Sequence, residues 1–295
     1  MDLSFAYNTT VPDLISTFGY RNTIDPLQIS EGNPLLHNSH SHTTTFGYHR
    51  MWLRKQIVLG VSASYRKDIN PTATLYRYNS NTGVYESKPM NVKGGDEWKF
   101  GFNYDQGLGV YFRIMNKFAL SKSQSYGFLT IVDNADPQAK ADLNHQRLLG
   151  INENLELTYE TEKLSLTLFN DLTLNRYRYD DASYNSRPIY NSAGISARIK
   201  LSPVELWIRL ADDFRSGYQT SEMNGHKLMS NASINYSFCK NKCRLALWVD
   251  DIFNKDIYYD SEYSAYQRVE NSANYLHHYM NLTFTYRFDA KGKKK

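Results

Sequence analysis

A strict period of two, held over runs of ten residues and more, constrains this chain more than any other feature. In KLSLTLFNDLTLNRYRYD, Leu164, Leu166, Leu168, Leu172 and Leu174 fall on one side, and Ser165, Thr167, Asp171, Thr173 and Asn175 on the other. HKLMSNASINYSFC sets Leu228, Ala232, Ile234, Tyr236 and Phe238 against Met229, Asn231, Ser233, Asn235 and Ser237. QIVLGVSASYRK repeats the pattern, and so does YMNLTFTYRF, with Met280, Leu282, Phe284, Tyr286 and Phe288 on its apolar side. Such alternation marks β-strands with one apolar and one polar face. Strands of globular domains run to about 5–6 residues. A strand of ~10 residues, rising ~3.3 Å per residue and tilted ~40°, climbs about 25 Å, the height of the apolar band of a membrane barrel.

The connections between runs are of two kinds, and they alternate. LRK at 53–55, QGLG at 106–109, TEK at 161–163, LSPV at 201–204 and KNK at 240–242 are tight. PDLISTFGYRNTIDPLQISEGNPLLHNSHS, the stretch around 126–145 and DSEYSAYQRVENSAN are long and polar. In an antiparallel meander, successive connections lie at opposite ends, so one end holds every tight turn and the other every long loop. A soluble sandwich has no reason to sort its loops in this way, whereas outer-membrane barrels do. The pattern predicts spans near 2–10, 41–52, 56–67, 97–106, 110–125, 147–160, 163–179, 188–200, 204–216, 226–239, 243–256 and 275–288. TATLYRYNSNTGVYESKPMN, between the third and fourth, reads as an extra hairpin within an outside loop. The expected fold is all-β, an antiparallel up-and-down transmembrane β-barrel of about 12 strands over 1–288, with a basic tail at 289–295.

Composition agrees. A hydrophobic fraction of 41% and a mean hydropathy of −0.59 exclude a helical membrane protein, since no run nears the roughly 18 apolar residues of a spanning helix. A barrel passes this test because half of each strand faces a polar lumen. The 24 Tyr, 14 Phe and 4 Trp suit strands and membrane interfaces. A net charge of +4, with the basic residues scattered, shows no nucleic-acid patch. Arg or Lys facing lipid at mid-depth costs about 2–4 kcal/mol. Alternation sets Arg113 and Lys117 opposite Phe112, Ile114 and Phe118, and Arg209 opposite Leu206, Ile208 and Leu210, so these three should line the lumen.

Few residues point to chemistry. GxSxG, P-loop, HExxH and GxGxxG patterns are all missing, and alternation supports no lipid-facing Ser–His pair. His37, His40 and His42 in HNSHSH read as a polar loop entering a strand rather than a metal site, and His277 and His278 point to opposite faces. The pairs Asp180–Asp181, Asp212–Asp213 and Asp250–Asp251 cannot each supply two carboxyls to one cleft, because neighbours on a strand face opposite ways. The expectation is no enzyme and no cofactor. Cys239 and Cys243 flank a three-residue turn, and either bridge a hairpin in an oxidising space or remain two thiols. Met1 leads straight into an alternating run with no cleavable leader, as in a cytoplasmic chain or a piece of a longer one.

Four segments, in order, carry a family resemblance. EGNPLLHNSHSHTTTFGYHR resembles the segment that closes a long outside loop in TonB-dependent outer-membrane receptors, through Gly32, Asn33, Pro34, Leu36, Ser41, Phe46, Gly47 and Tyr48; His37, Asn38 and His40 depart from it. The upstream LSFAYNTTVPDLISTF looks like that family's rising strand and Pro-containing turn. LWVDDIFNKDIYY resembles its penultimate-strand signature at Asp251, Ile252, Phe253 and Asn254. TFTYRF resembles its closing strand, in which Phe284, Tyr286 and Phe288 would serve the barrel assembly machinery as an insertion signal. The chain is thereby similar to the C-terminal half of a 22-stranded receptor barrel of the outer membrane protein beta-barrel type.

That resemblance implies membrane lipid as a partner and the outer membrane as location. It implies TonB and a plug only through an N-terminal part that this chain lacks. The implied cargo is a small solute such as a glycan, peptide, siderophore or cobalamin. Tyr184, Tyr259, Tyr263 and Tyr266 at loop tips would suit stacking on sugars, although exposed tyrosines are ordinary in barrel loops. The competing readings are a free-standing twelve-stranded porin or barrel enzyme, and a soluble β-rich binding protein.

Overall fold

A computed structural model describes residues 1–128, 131–133, 142–254, 258–264, 268–273 and 276–288. From the N-terminus, β1 (Asp2–Thr10) precedes a single helical turn at Leu14–Thr17, then β2 (Arg21–Asp25), β3 (Gln28–Glu31), β4 (Ser39–Trp52) and β5 (Ile57–Ile69). Next come β6 (Thr72–Asn79), β7 (Val84–Asn91), β8 (Asp96–Leu108), β9 (Phe112–Phe128), β10 (Ile131–Asp133) and β11 (Leu143–Glu160). The remainder is β12 (Leu164–Arg178), β13 (Ile189–Leu201), β14 (Val204–Ser216), β15 (Gly225–Phe238), β16 (Cys243–Asp250), β17 (Tyr258–Tyr263), β18 (Arg268–Ala273) and β19 (Tyr279–Tyr286). No helix among the described residues is long and apolar enough to cross a membrane.

Twelve strands form one sheet in the order β1-β4-β5-β8-β9-β11-β12-β13-β14-β15-β16-β19, antiparallel throughout. Each overlaps one of the spans expected from alternation. β16 stops at Asp250 instead of running to 256, because Asp251 takes φ +43° and turns the chain off the ladder. The tight turns use left-handed backbone where the strands reverse: Gln56, Gly109, and Cys239, Lys240 and Asn241 in succession.

One face of this sheet is aliphatic and exposed, with Leu155, Leu168, Ile195, Ile208, Ile234 and Leu282 among its residues. Aromatic residues border it at both heights. Phe112 and Tyr159 (5.0 Å), then Tyr236, Phe238 and Tyr286, lie at the tight-turn end, and Tyr65 with Trp98 (4.4 Å) at the loop end. An apolar band between two aromatic girdles is the lipid-facing surface of a membrane barrel. Many of the buried residues, including Phe128, Asn144, Gln146, Tyr179 and Met223, lie at the long-loop end.

The expected extra hairpin is β6–β7, turned at 80–83. It belongs to a second sheet of order β10-β6-β7-β3-β2, which was not foreseen. Its two parallel ladders, β10 with β6 and β3 with β7, join pieces of three different wall connections. Pairing of this kind carries no local signature, since each strand is only three to eight residues long and its partner lies in another loop. β17 and β18 make a separate two-stranded sheet within the connection from β16 to β19.

Candidate functional site

The wall register shows which polar residues stand together. Arg113, Thr158, Thr167, Ser196, Arg209 and Asn231 form one transverse row, each directly opposite the next. Two rows further up the same face, beyond the row of Met115, Glu156, Phe169, Gly194, Ala211 and Met229, stand Asn103, Lys117, Asn154, Asp171, Ser192, Asp213 and Lys227. Arg113, Lys117 and Arg209 thus all lie on the polar face, away from the aliphatic band. Arg113 is bonded bidentately to Asp105, Asn154 donates to Asp171, and Thr158 and Thr167 share a 3.1 Å hydrogen bond. Arg209 lies 4.0 Å over the buried ring of Phe169, which covers Gly194 opposite it. A Cβ at Gly194 would come within 2.7 Å of that ring, so only glycine fits.

Toward the loops, the same face becomes an aromatic and charged cluster. The Tyr190 hydroxyl donates to Asp213 Oδ2 at 3.1 Å. The Arg215 guanidinium lies over the rings of Tyr190 (5.2 Å) and Tyr259 (5.1 Å), and Lys227 Nζ is 3.7 Å from the Tyr259 ring centre. Tyr177 stacks on Tyr263 at 4.6 Å, and Gln146 donates to the Tyr179 hydroxyl at 2.8 Å. Arg215 Nη1 and Lys227 Nζ are buried with no hydrogen-bond acceptor among the described residues. Cations held against rings in this way can receive a polar or anionic solute while the rings stack on its flat parts.

Glu270, on β18, ties the cluster down. Its carboxylate accepts from the backbone N–H groups of Gln219 (3.1 Å) and Thr220 (2.8 Å), from the Tyr263 hydroxyl (2.7 Å) and from Arg268 Nε (3.0 Å). Its side chain is 6% exposed. Burial pushes its pKa up, but the Thr220 and Gln219 amides and the Tyr263 hydroxyl outweigh this and hold it at about 2. Burial and the bond to that carboxylate push the Tyr263 hydroxyl well above its ordinary value.

The motif residues turn out to be structural staples. Asn33 donates from its backbone to Ser16 O (2.7 Å) and from Nδ2 to Pro89 O (2.9 Å), fixing the first loop to the second sheet. Gly32 passes so close to that loop that a Cβ would sit 1.8 Å from Phe18 O, and Pro34 follows in the turn. Asp251, 2% exposed, heads a knot at the end of β16. Its N–H donates to Asn231 Oδ1 (3.0 Å), Ile252 N to Ser230 O (2.8 Å), Phe253 N to Ser230 Oγ (3.2 Å) and Asn254 N to Asp251 O (2.9 Å). His277 reaches Asn254 (2.9 Å) and His278 the Asp251 carbonyl (2.8 Å).

The other residues singled out from sequence are dispersed. His40 engages Tyr7 (2.7 Å) on the aliphatic face, and no cluster of metal ligands occurs among the described residues. Cys239, exposed, and Cys243, buried, are two free thiols. Asp212 pairs with His226 (2.8 Å) on the face opposite Asp213, and Asp180 reaches Arg147 while Asp181 caps the turn at Ala182–Tyr184. Phe284, Tyr286 and Phe288 are exposed along the outer side of β19 and just beyond it. Tyr266 and residues 289–295 lie outside the described residues. Sequence reasoning missed Tyr190, Arg215, Lys227 and Glu270. The register of the hairpin at 201–204 would have placed Tyr190 opposite Arg215, and alternation along β15 would have put Lys227 on the polar side with Met229 and Asn231; nothing local marks Glu270.

No curated protein matches this chain. The model of the outer membrane protein beta-barrel family matches residues 1–286, which covers every strand of the wall. The chain belongs to the outer membrane protein beta-barrel family.

Proposed function

We propose that the chain forms part of the wall of a TonB-dependent receptor, the C-terminal strands of a larger, 22-stranded barrel that takes up a scarce solute. The observation that carries this is the sheet itself: among the described residues, β1 is laddered only to β4 and β19 only to β16. A bare strand edge is untenable in hydrocarbon, where unpaired N–H and C=O groups find no water. Further strands complete the wall, and the charged rows of the polar face then look into a lumen wide enough for a plug. The cluster of Tyr190, Arg215, Lys227 and Tyr259 meets the solute (a glycan, peptide, siderophore or cobalamin) at the loop end, and no step of bond chemistry is involved. Phe284, Tyr286 and Phe288 give the barrel assembly machinery its handle on the last strand.

Edge-to-edge cross-linking tests this reading. In a C239S/C243S background that removes the two native thiols, cysteines replace Ser4, Ala6 or Asn8 on β1 and Asn281, Thr283 or Thr285 on β19, and the chain is folded in micelles and oxidised. The receptor reading expects no intrachain bridge in folded monomer. Efficient bridging would instead make the chain a free-standing twelve-stranded barrel. Solute uptake by cells making the receptor should also collapse when TonB is removed.

A further inference from the structure

The aliphatic face ends, at the loop side, in cations. Lys122 continues the side of Phe118 and Leu120, Arg147 that of Leu149 and Ile151, and Arg176 and Arg178 that of Leu172 and Leu174. Register gathers them on four neighbouring strands. Trp98, Lys122, Leu149 and Arg176 form one row, and Asp96, Gln124, Arg147 and Arg178 the row above. Together they line a cleft of about 620 Å³. An apolar trough of about 170 Å³ adjoins it, sharing Leu149 and Arg176 and continuing over Ile151, Leu174 and Ile189.

This arrangement is electrostatically unfavourable when empty. Arg147 and Arg178 stand directly opposite, where like charges destabilise a sheet. Arg178 and Arg187 also act on Arg176, whose Nε is buried without an acceptor among the described residues. Among the described residues, Asp96 is the one carboxylate lining the cleft beside its four cations, and Asp180 reaches Arg147 at 3.2 Å from its rim. A charged cleft whose floor runs into an aliphatic trough, at the height of an interfacial tryptophan, matches a molecule with an anionic head and hydrocarbon tails. We propose that this cleft binds the phosphorylated headgroup of an outer-leaflet lipid, with Lys122, Arg147, Arg176 and Arg178 on the phosphates and an acyl chain in the trough below. The proposal rests on the membrane orientation described above, and it assigns a site on the outer wall, separate from the solute path.

The full chain, folded in zwitterionic micelles with folding scored by heat-modifiable gel mobility, is titrated with diphosphorylated lipid A and with the same lipid after dephosphorylation. Retention is read by native mass spectrometry. The phosphorylated lipid should bind about ten-fold tighter or more. That preference should vanish in R147Q/R176Q/R178Q, shrink in R178Q alone, and persist in K55Q/K163Q/K240Q, which removes as many charges from the tight-turn end. Equal retention of the two lipids by the unaltered chain, or equal loss in both triple variants, overturns the site. So does full displacement of lipid by millimolar inorganic phosphate, which would make it a site for free anions. A chain that fails to fold in micelles at all counts against the membrane reading instead, and the lipid comparison on unaltered protein needs no variant to fold.

Discussion

Glu270 shows how much one side chain can organise in a loop. Four donors converge on it, two of them backbone amides some fifty residues away in sequence. Glu270→Gln keeps the shape but removes the charge, and hydrogen bonds to a charged group contribute about 1.5–3 kcal/mol each. Hydrogen exchange at the amides of Gln219 and Thr220 should therefore quicken by about ten-fold or more, with the wall amides unchanged. The pH dependence follows from the same carboxylate. In an unfolded chain it takes up a proton near pH 4.5, whereas the folded loop resists protonation until about pH 2. Between those values the open form binds more protons, so the clamp is at full strength above about pH 4.5 and weakens as pH falls toward 2. Exchange at the two amides, followed from pH 5 down to 2.5 and corrected for intrinsic rates, should rise only at the acid end. Asp251 makes a parallel case: asparagine tolerates its left-handed backbone, so Asp251→Asn should keep the knot at the end of β16 while Asp251→Val loses it. Urea midpoints of the two variants in micelles separate these outcomes. Neither residue was legible for its role, because the backbone amides that meet Glu270 and the Asn231 and His278 side chains that meet the Asp251 backbone are distant in sequence and come near only in the folded chain.

At the scale of the strand, nearly everything was legible. A period of two is a local property, and it fixes which side of a strand each residue takes whatever the neighbours are. Arg113, Lys117 and Arg209 were assignable to the polar side for that reason, and the ladders put them in rows with Thr, Ser and Asn. The adjacent residues Thr167 and Leu168 make a strict test. Thr167 lies on the polar face opposite Ser196, and Leu168, 53% exposed, lies on the aliphatic face opposite Ile195. Leu168→Arg should lower folding stability by about 2–4 kcal/mol in a bilayer, and Thr167→Arg by far less. Equal urea midpoints for the two in vesicles would mean that the faces are wrongly assigned. Strand ends were less legible than strand faces. β16 ends where Asp251 turns left-handed, and aspartate is only one of several residues that do so.

At the scale of the molecule, sorting of tight turns from long loops gave the wall, while the loops' own architecture stayed hidden. The stretch at 72–91 announced a hairpin through its two alternating arms and SNTG turn, but nothing in it announced β3 and β10 as neighbours. Deleting 72–91 should leave the heat-modifiable wall intact and release the β2–β3 hairpin, making the chain between 20 and 31 open to limited proteolysis. Protection unchanged from the parent would mean that β2 and β3 are held by something other than β7. The second sheet also reaches back to how the wall is built. Its strands come from three separate connections of the wall, and they can meet only when those connections stand at matching heights. A two-residue slip in a ladder between β1 and β11 would shift the loop above it by about 6.6 Å, more than the spacing of about 4.8 Å between paired strands. The small sheet can then form only above a correct register in that half of the wall, and its pairing energy is withheld from arrangements slipped there. The loops thus act as a gauge laid across the strands beneath them, rewarding one alignment over its neighbours.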